Sequence, residues 1–379
     1  MPAPERARDW LALILAPGLG ARRARRLEQH FGGPLGWLEA DRSALRACGL
    51  NDETISALRQ PDPERLDACL AWLEPAHHAL ITLDDELYPP LLRQIDDPPP
   101  ALFAAGDRGL LVSPQIAIVG SRGASRGGLD HAHDFAATLA RAGFVVTSGL
   151  AAGIDARAHE GCLQAGGRTV AVVGTGPDRI YPARNKALAQ RIVEHGVIIS
   201  PFPPGTEVRP GNFPARNRII SGASLGTLVV EAGLRSGSLI TARLASEQGR
   251  EVFAIPGSVH NPLARGCHAL IRQGARLVET GDEIIEALAP LAAELAGTLR
   301  ALLTPPVSDQ LDNPATAPHV DNDPDYERLL DAIGYDPCPV DLIIQRSELT
   351  TAQVSSMLLI MELDGRVVAH PGGRYSRST

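Results

Sequence analysis

Between residue 116 and about residue 290 the chain repeats one pattern seven times. Short apolar runs, "IAIVG", "FVVTSG", "TVAVVG", "VIIS", "TLVVEAG", "VFAIPG" and "RLVE", each give way to a Gly, Ser or other polar break. Most are separated by helix-length stretches such as "LDHAHDFAATLARAG" and "SLITARLASEQGR". Strands buried on both faces read as continuous β-branched runs, and strands alternating with helices make βαβ units. The pattern therefore predicts an α/β fold, an extended Rossmann-like, doubly wound and mostly parallel sheet. In such a sheet ligands bind beyond the carboxyl ends of the strands, so the residues just after each run are where function is sought.

The flanks read differently. Residues 1–75 form short helices: "LALILAPGLGARRARRLEQHFGG" is helix, Pro-Gly-Leu-Gly turn, helix. The turn at Gly18 and Gly20 exposes amides beside a helix N-terminus, as a helix-hairpin-helix does to hold a phosphate, with Arg22, Arg23, Arg25 and Arg26 following. The competing reading is a small helical packing domain with a wet basic face. Residues 76–115, rich in Pro and acid, read as an extended connector packed on the core, which spans 116–299. Residues 300–323 read as a linker with little to bury. Residues 324–379 resume periodicity as three helices, the third with Thr350 or Thr351 as N-cap, then a short hairpin: a winged-helix layout.

Composition removes several chemistries. The only lysine is Lys186, so no GxxxxGK[ST] phosphate loop exists. The five cysteines are scattered without a CxxC pair, which argues against a zinc ribbon or disulfide framework and fits a reducing cytoplasm. No histidine pair has metal-ligand spacing, so neither metal nor cofactor is expected. No apolar run approaches the ~20 residues that cross a bilayer, and the N-terminus lacks a signal-peptide layout. Net charge is −8, so a polyanion must meet a local basic patch on an acidic body.

The strand-end residues supply such a patch. After the first run, "GSRGASRGG" offers Ser121, Arg122 and Ser125; Arg122 stands where a dinucleotide fold needs glycine, which suits an open phosphate chain. After the second come Ser148 and Gly149, then Asp155 and His159. A Ser148–His159–Asp155 triad lacks the GxSxG elbow, and an i,i+4 carboxylate–imidazole pair ordinarily just supports a helix. After the third, Gly174 and Gly176 expose amides, Asp178 meets a base edge or caps a turn, Tyr181 stacks a base or, on the favoured reading, packs against Pro182, and Arg184 and Lys186 add charge at the rim. After the fourth, "NFPARNRIISG" is expected to start a helix near Pro214 and to turn Phe213, Arg216, Asn217 and Arg218 toward the strand ends. Guanidinium forks fit phosphate oxygens and an exposed ring stacks unpaired bases. The plainer reading makes Phe213 a core plug and Arg216 solvated. After the fifth, Glu231 ends a buried strand and needs a partner, for which the Arg216–Arg218 cluster is available.

Taken in order, "VGSR", "SGLAAGID", "GTGPDRIYPARN", "FPARNRIISG", "VVEAGLRSGSLITA", "REVFAIPG" and "GCHALIRQGARLV" resemble the DNA-processing protein A (DprA/Smf) family across roughly residues 80–290. The flanks resemble that family's additions, a sterile-alpha-motif-like or helix-hairpin-helix region and a winged helix. The resemblance implies a protein of natural transformation and recombination. Such a protein binds single-stranded DNA as a homodimer without known catalysis, protects incoming strands, displaces single-strand-binding protein and loads the RecA recombinase. It also implies that Arg122 and the Phe213–Arg218 block line the DNA pocket. The chain departs from the family at Pro201, where glutamate is usual, and at His268, where asparagine is usual; those two roles are not carried over. The last module carries eight acidic residues, Asp325 to Asp364, against five arginines, and its third helix has no basic residue, so it reads as a protein-contact module.

Two other readings stand beside this one. "SGASLGTLVVEAG" loosely resembles phosphoribohydrolases that release bases from nucleoside monophosphates, with Glu231 as catalytic carboxylate. Alternatively, the chain is a protein-binding scaffold working through its winged helix.

Overall fold

The computed structural model describes residues 4–303 in one compact unit. In a second it describes 324–334, 338–347, 349–350, 354, 357–358, 361, 366–370 and 374–377. The first unit opens with six helices: α1 (Pro4–Leu15), α2 (Ala21–Phe31), α3 (Pro34–Glu39), α4 (Arg42–Ala47), α5 (Asp52–Arg59) and α6 (Pro63–Trp72). Their starts are chemically marked. Asn51 accepts the Thr54 amide at 2.8 Å and Asp62 accepts that of Glu64 at 3.0 Å, satisfying N–H groups that a helix leaves unpaired. Trp10 and Trp37 pack edge to face at the centre, ring centroids 5.2 Å apart. The boundary at 75 does not divide the core: Leu11 and Leu13 share one apolar cluster with Leu80 and Phe103.

Those last two residues lie on strands where a connector was expected. β1 (His78–Thr82) and β2 (Ala101–Gly106) join the central sheet antiparallel, β2 pairing β6. Between them sits the one-turn α7 (Pro90–Arg93). Outside α7, the prolines and acids of residues 84–100 form the loop, and they mask the strands on either side.

All seven runs are strands: β3 (Gln115–Val119), β4 (Val145–Ser148), β5 (Thr169–Val172), β6 (Val197–Ser200), β7 (Gly226–Val229), β8 (Glu251–Ala254) and β9 (Arg276–Leu277). They pair parallel in the order β1-β2-β6-β5-β4-β3-β7-β8-β9, the first two being the antiparallel additions. Val146, Val170, Ile199 and Leu228 are fully buried, which is why the runs carry no polar alternation. The intervening helices are α8 (Arg126–Arg141), α9 (Ile154–Gln164), α10 (Lys186–His195), α11 (Asn212–Gly222), α12 (Ser238–Glu247), α13 (Arg265–Arg272) and α14 (Gly281–Leu303). Helix α14 covers the first residues of the expected linker; the remainder, 304–323, lies outside the described residues.

The second unit has α15 (Pro324–Ile333), α16 (Val340–Ser347) and a three-stranded sheet, β10 (Cys338–Pro339), β12 (Arg374–Arg377) and β11 (Val367–His370) in that spatial order. Leu329, Ile343, Val354 and Met361 share its core. Most of the third helix lies outside the described residues; Val354 donates to the Thr350 carbonyl at 3.0 Å.

Candidate nucleic-acid interface

The strand order reverses between β3 and β7, both parallel to each other and feeding outward in opposite directions. A crevice must open there, because the chain leaves the two strands toward opposite ends of the sheet. It is a cavity of about 550 Å³. Ser121 and Arg122 line it from the end of β3, Phe213 and Asn217 from α11, and Arg235 with Gly237 from the turn after β7. A smaller cleft continues from Arg122 and Phe213 to Tyr181 and Arg184.

Phe213 organises the wall. The Arg122 guanidinium carbon lies 5.3 Å from the ring centroid and that of Arg216 lies 5.9 Å away, both in cation–π range. The Tyr181 ring stands 6.0 Å off at 53°, and Tyr181 is 47% exposed rather than packed away. Gly174 is buried beneath the ring: a Cβ there would stand 3.3 Å from Phe213 Cδ1. Its carbonyl accepts from Asn212 Nδ2 at 2.9 Å. Gly174 therefore seats the aromatic.

The other strand-end candidates turn inward as well. Ser148 is fully buried and its hydroxyl donates to the Ile118 carbonyl at 2.6 Å. Gly149 is buried and its carbonyl accepts Arg216 Nη2 at 2.9 Å. Arg216, expected on the rim or in solvent, is only 4% exposed. A Cβ on residue 149 would lie 1.7 Å from Arg216 Nη1 and 2.7 Å from Asp155 Oδ2, so glycine is required where cation and carboxylate converge. Burial lowers the Arg216 pKa to about 10, with Asp155 opposing that shift. Burial raises the pKa of Asp155 against the pull of Arg216. Arg216 remains a cation at neutral pH and supports Phe213 from below, while Arg122 is exposed.

Arg218 does not face this cavity. One helical position beyond Asn217, it points to a separate groove and pairs with Asp97. Lys186 is exposed at the start of α10 and lines neither cavity. Asn217 reaches the Gly237 carbonyl at 3.5 Å. Ser125 is no free donor: its hydroxyl caps α8 at the Gly128 amide and bonds Glu231 Oε1 at 2.7 Å. Glu231 takes two further bonds, from the Ser125 amide at 2.8 Å and Asn261 Nδ2 at 3.1 Å. The carboxylate thus pairs with the start of α8, not with the arginine block, and it does not line the cavity. Asp178 caps a turn, accepting the Gly205 amide at 2.9 Å. His268 bonds the Gly257 carbonyl at 3.0 Å. In the N-terminal hairpin Gly18 has φ 73°, Gly20 precedes α2, and Arg23 donates to the Gly18 carbonyl at 2.7 Å, while Arg22 is exposed.

No triad forms. His159 is fully buried with Nδ1 on the Thr169 hydroxyl at 2.7 Å, and Ser148 is engaged elsewhere. Burial, aided by Arg216, depresses the His159 pKa to about 3. A group depressed in the folded state contributes no penalty above its unfolded pKa of about 6.5 and destabilises the fold progressively below it. At pH 5 the loss from this residue is expected to reach about 2 kcal/mol, at 1.36 kcal/mol per pH unit. Urea midpoints at pH 7 and pH 5 measure it, and His159→Gln should flatten the difference; an equal pH dependence in the variant would refute the assignment.

Sequence reasoning passed over Arg235, which lines the cavity from "GLRSGS". The strand-end rule that singled out Arg122 applies equally after β7 and would have found it. It also missed the Asp155–Arg216 convergence, which joins residues far apart in sequence and leaves no local signature.

Known proteins resemble this chain along most of its length. The family model for DNA recombination-mediator protein A matches residues 79–289, the SMF/DprA SAM domain matches 5–71, and the DprA winged helix domain matches 313–373. Protein Smf of Escherichia coli is 44% identical over 88% of this chain and 86% of its own. Protein Smf of Synechocystis is 34% identical over 97% and 98%. The solved structure of DNA processing protein A from Streptococcus pneumoniae aligns at TM-score 0.67 and 35% identity, covering 73% of this chain and 97% of that one. That of the Helicobacter pylori protein aligns at 0.51 and 30%, covering 56% and 97%.

Proposed function

The chain belongs to the DNA recombination-mediator protein A (DprA/Smf) family, and from that premise we propose that it grips single-stranded DNA at the β3/β7 crevice without cutting it. One observation carries the reading. Arg122, Arg184 and Arg235, without ion-pair partners among the described residues, ring the Phe213–Tyr181 pair, of which Tyr181 is exposed and Phe213 half-buried. Arginines neutralise phosphates, and exposed rings stack on bases that no complementary strand covers. A duplex would hide those base faces, so the platform favours single strands. The H. pylori relative is described by its single-stranded DNA binding mode, which supports the same reading. Glu231, with its oxygens held by Ser125 and Asn261, gives the phosphoribohydrolase alternative no support.

The finer steps follow from family resemblance: protection of incoming strands in transformation, displacement of single-strand-binding protein, delivery to the RecA recombinase and action as a cytoplasmic homodimer. No helix among the described residues is long and apolar enough to cross a membrane. Gel shifts with single- and double-stranded oligonucleotides across a salt series test the central claim. Single strands are expected to bind more tightly. The log–log salt slope should be about −2, from three phosphates at about −0.7 each. Equal affinity for duplex, or binding indifferent to salt, would remove it.

A further inference from the structure

Arg218 leads to a second groove, of about 600 Å³, whose wall shares Pro214 and Ile240 with the Arg122 cavity. Both lie in the same compact unit. The groove is lined by Arg22 from α2, Asp96 and Asp97 from the β1–β2 loop, Arg218 from α11, and Arg243 and Glu247 from α12. Three buried polar atoms without a hydrogen-bond partner belong to its lining residues: Arg218 Nε, Arg250 Nε and Gln248 Oε1. Buried polar atoms are nearly always satisfied, so the side chains that line this groove are less fully paired than a protein interior usually is. Two of the three are guanidinium donors, which want an oxygen.

The charge balance is close. Four arginines face three carboxylates. The Arg243–Glu247 contact, at 3.3 Å, is exposed on both sides and holds weakly. Arg22 has no partner among the described residues. Asp97 is the strong competitor, because it sits directly on Arg218.

We propose that a single strand held at the Arg122 cavity continues past Pro214 into this groove, with a backbone phosphate between Arg22, Arg218 and Arg243. Asp97 occupies Arg218 in the unliganded protein and is the built-in competitor of that phosphate. The inference rests on the single-strand reading above. It also gives the N-terminal helices a part in binding through Arg22, while Arg23 closes its own hairpin.

The full chain is tested by fluorescence anisotropy with labelled oligothymidylates of about 6 and about 20 nucleotides, spanning one cavity or both. Asp97→Asn is expected to bind the long oligonucleotide about fivefold more tightly, with a salt slope steeper by about 0.7. Arg22→Ala/Arg243→Ala is expected to bind it about fivefold more weakly. Both should leave the short one unchanged. A gain on removing a surface carboxylate cannot come from misfolding, so the two signs together carry the proposal. It is overturned if Asp97→Asn leaves the long oligonucleotide unchanged, or if both lengths respond alike. Tighter capture of polyglutamate by Asp97→Asn with DNA affinity unmoved would assign the groove to an acidic peptide, and would overturn it too. Were the wild type to bind neither length, the single-strand reading itself would fall. Were it to bind both through Arg122 with the groove variants silent, this inference alone would fall.

Discussion

Phe213→Ala is expected to weaken single-stranded DNA binding about 30-fold, the loss of roughly 2 kcal/mol of base stacking. Arg122→Ala is expected to weaken it about tenfold through a lost phosphate contact. The two side chains touch, guanidinium over ring at 5.3 Å, so their effects should not add. Without Phe213 the Arg122 fork loses the surface that orients it, and the double variant should be weaker than wild type by less than the product. Arg122 is exposed and Phe213 only part-buried, so fold stability should hold and urea midpoints serve as the control. Lys186→Ala, outside both cavities, should change affinity less than about twofold. Anisotropy titrations with one oligonucleotide at fixed salt measure the four variants against wild type. Unchanged affinity in both single variants would move the binding site off this crevice.

Such a test was designable from the sequence in part. The sheet was legible because its strands, five of them buried throughout, leave seven short apolar runs at βαβ spacing. β1 and β2 were not, because the proline- and acid-rich loop joining them dominates its window. At the site, Arg122 and Phe213 were legible as a cation and a ring at strand ends. Position along the chain does not say which way a side chain points. Ser148 and Gly149 stand at a strand end yet face the interior. Arg216 and Arg218 are two apart on one helix, so one sinks under Phe213 while the other reaches Asp97. Glu231 was expected to need a partner, and has one; the partner is the start of α8, a long-range pairing that composition cannot reveal.

The buried charges under the platform set the second large effect. Removing one partner of a buried opposite-charge pair strands the other, at about 3 kcal/mol or more. Asp155→Asn should show that loss at neutral pH, because Arg216 stays cationic with the Gly149 carbonyl as its side-chain hydrogen-bond acceptor and its Nε unpartnered. Arg216→Met should behave differently with pH. It strands Asp155, whose pKa burial already raises. A carboxyl whose folded pKa lies above its unfolded value binds protons preferentially in the fold, so lowering the pH stabilises it. Relative to wild type, the Arg216→Met deficit should therefore be largest near pH 8 and shrink toward pH 5, whereas the Asp155→Asn deficit should not shrink. Arg216 helps depress the His159 pKa, so the Arg216→Met comparison is made in a His159→Gln background, which removes that contribution from the difference. Urea unfolding of the three proteins across that range separates the cases. A pH-independent Arg216→Met deficit would mean that Asp155 is not a stranded buried acid, and that Arg216 stabilises the Phe213 seat through packing alone.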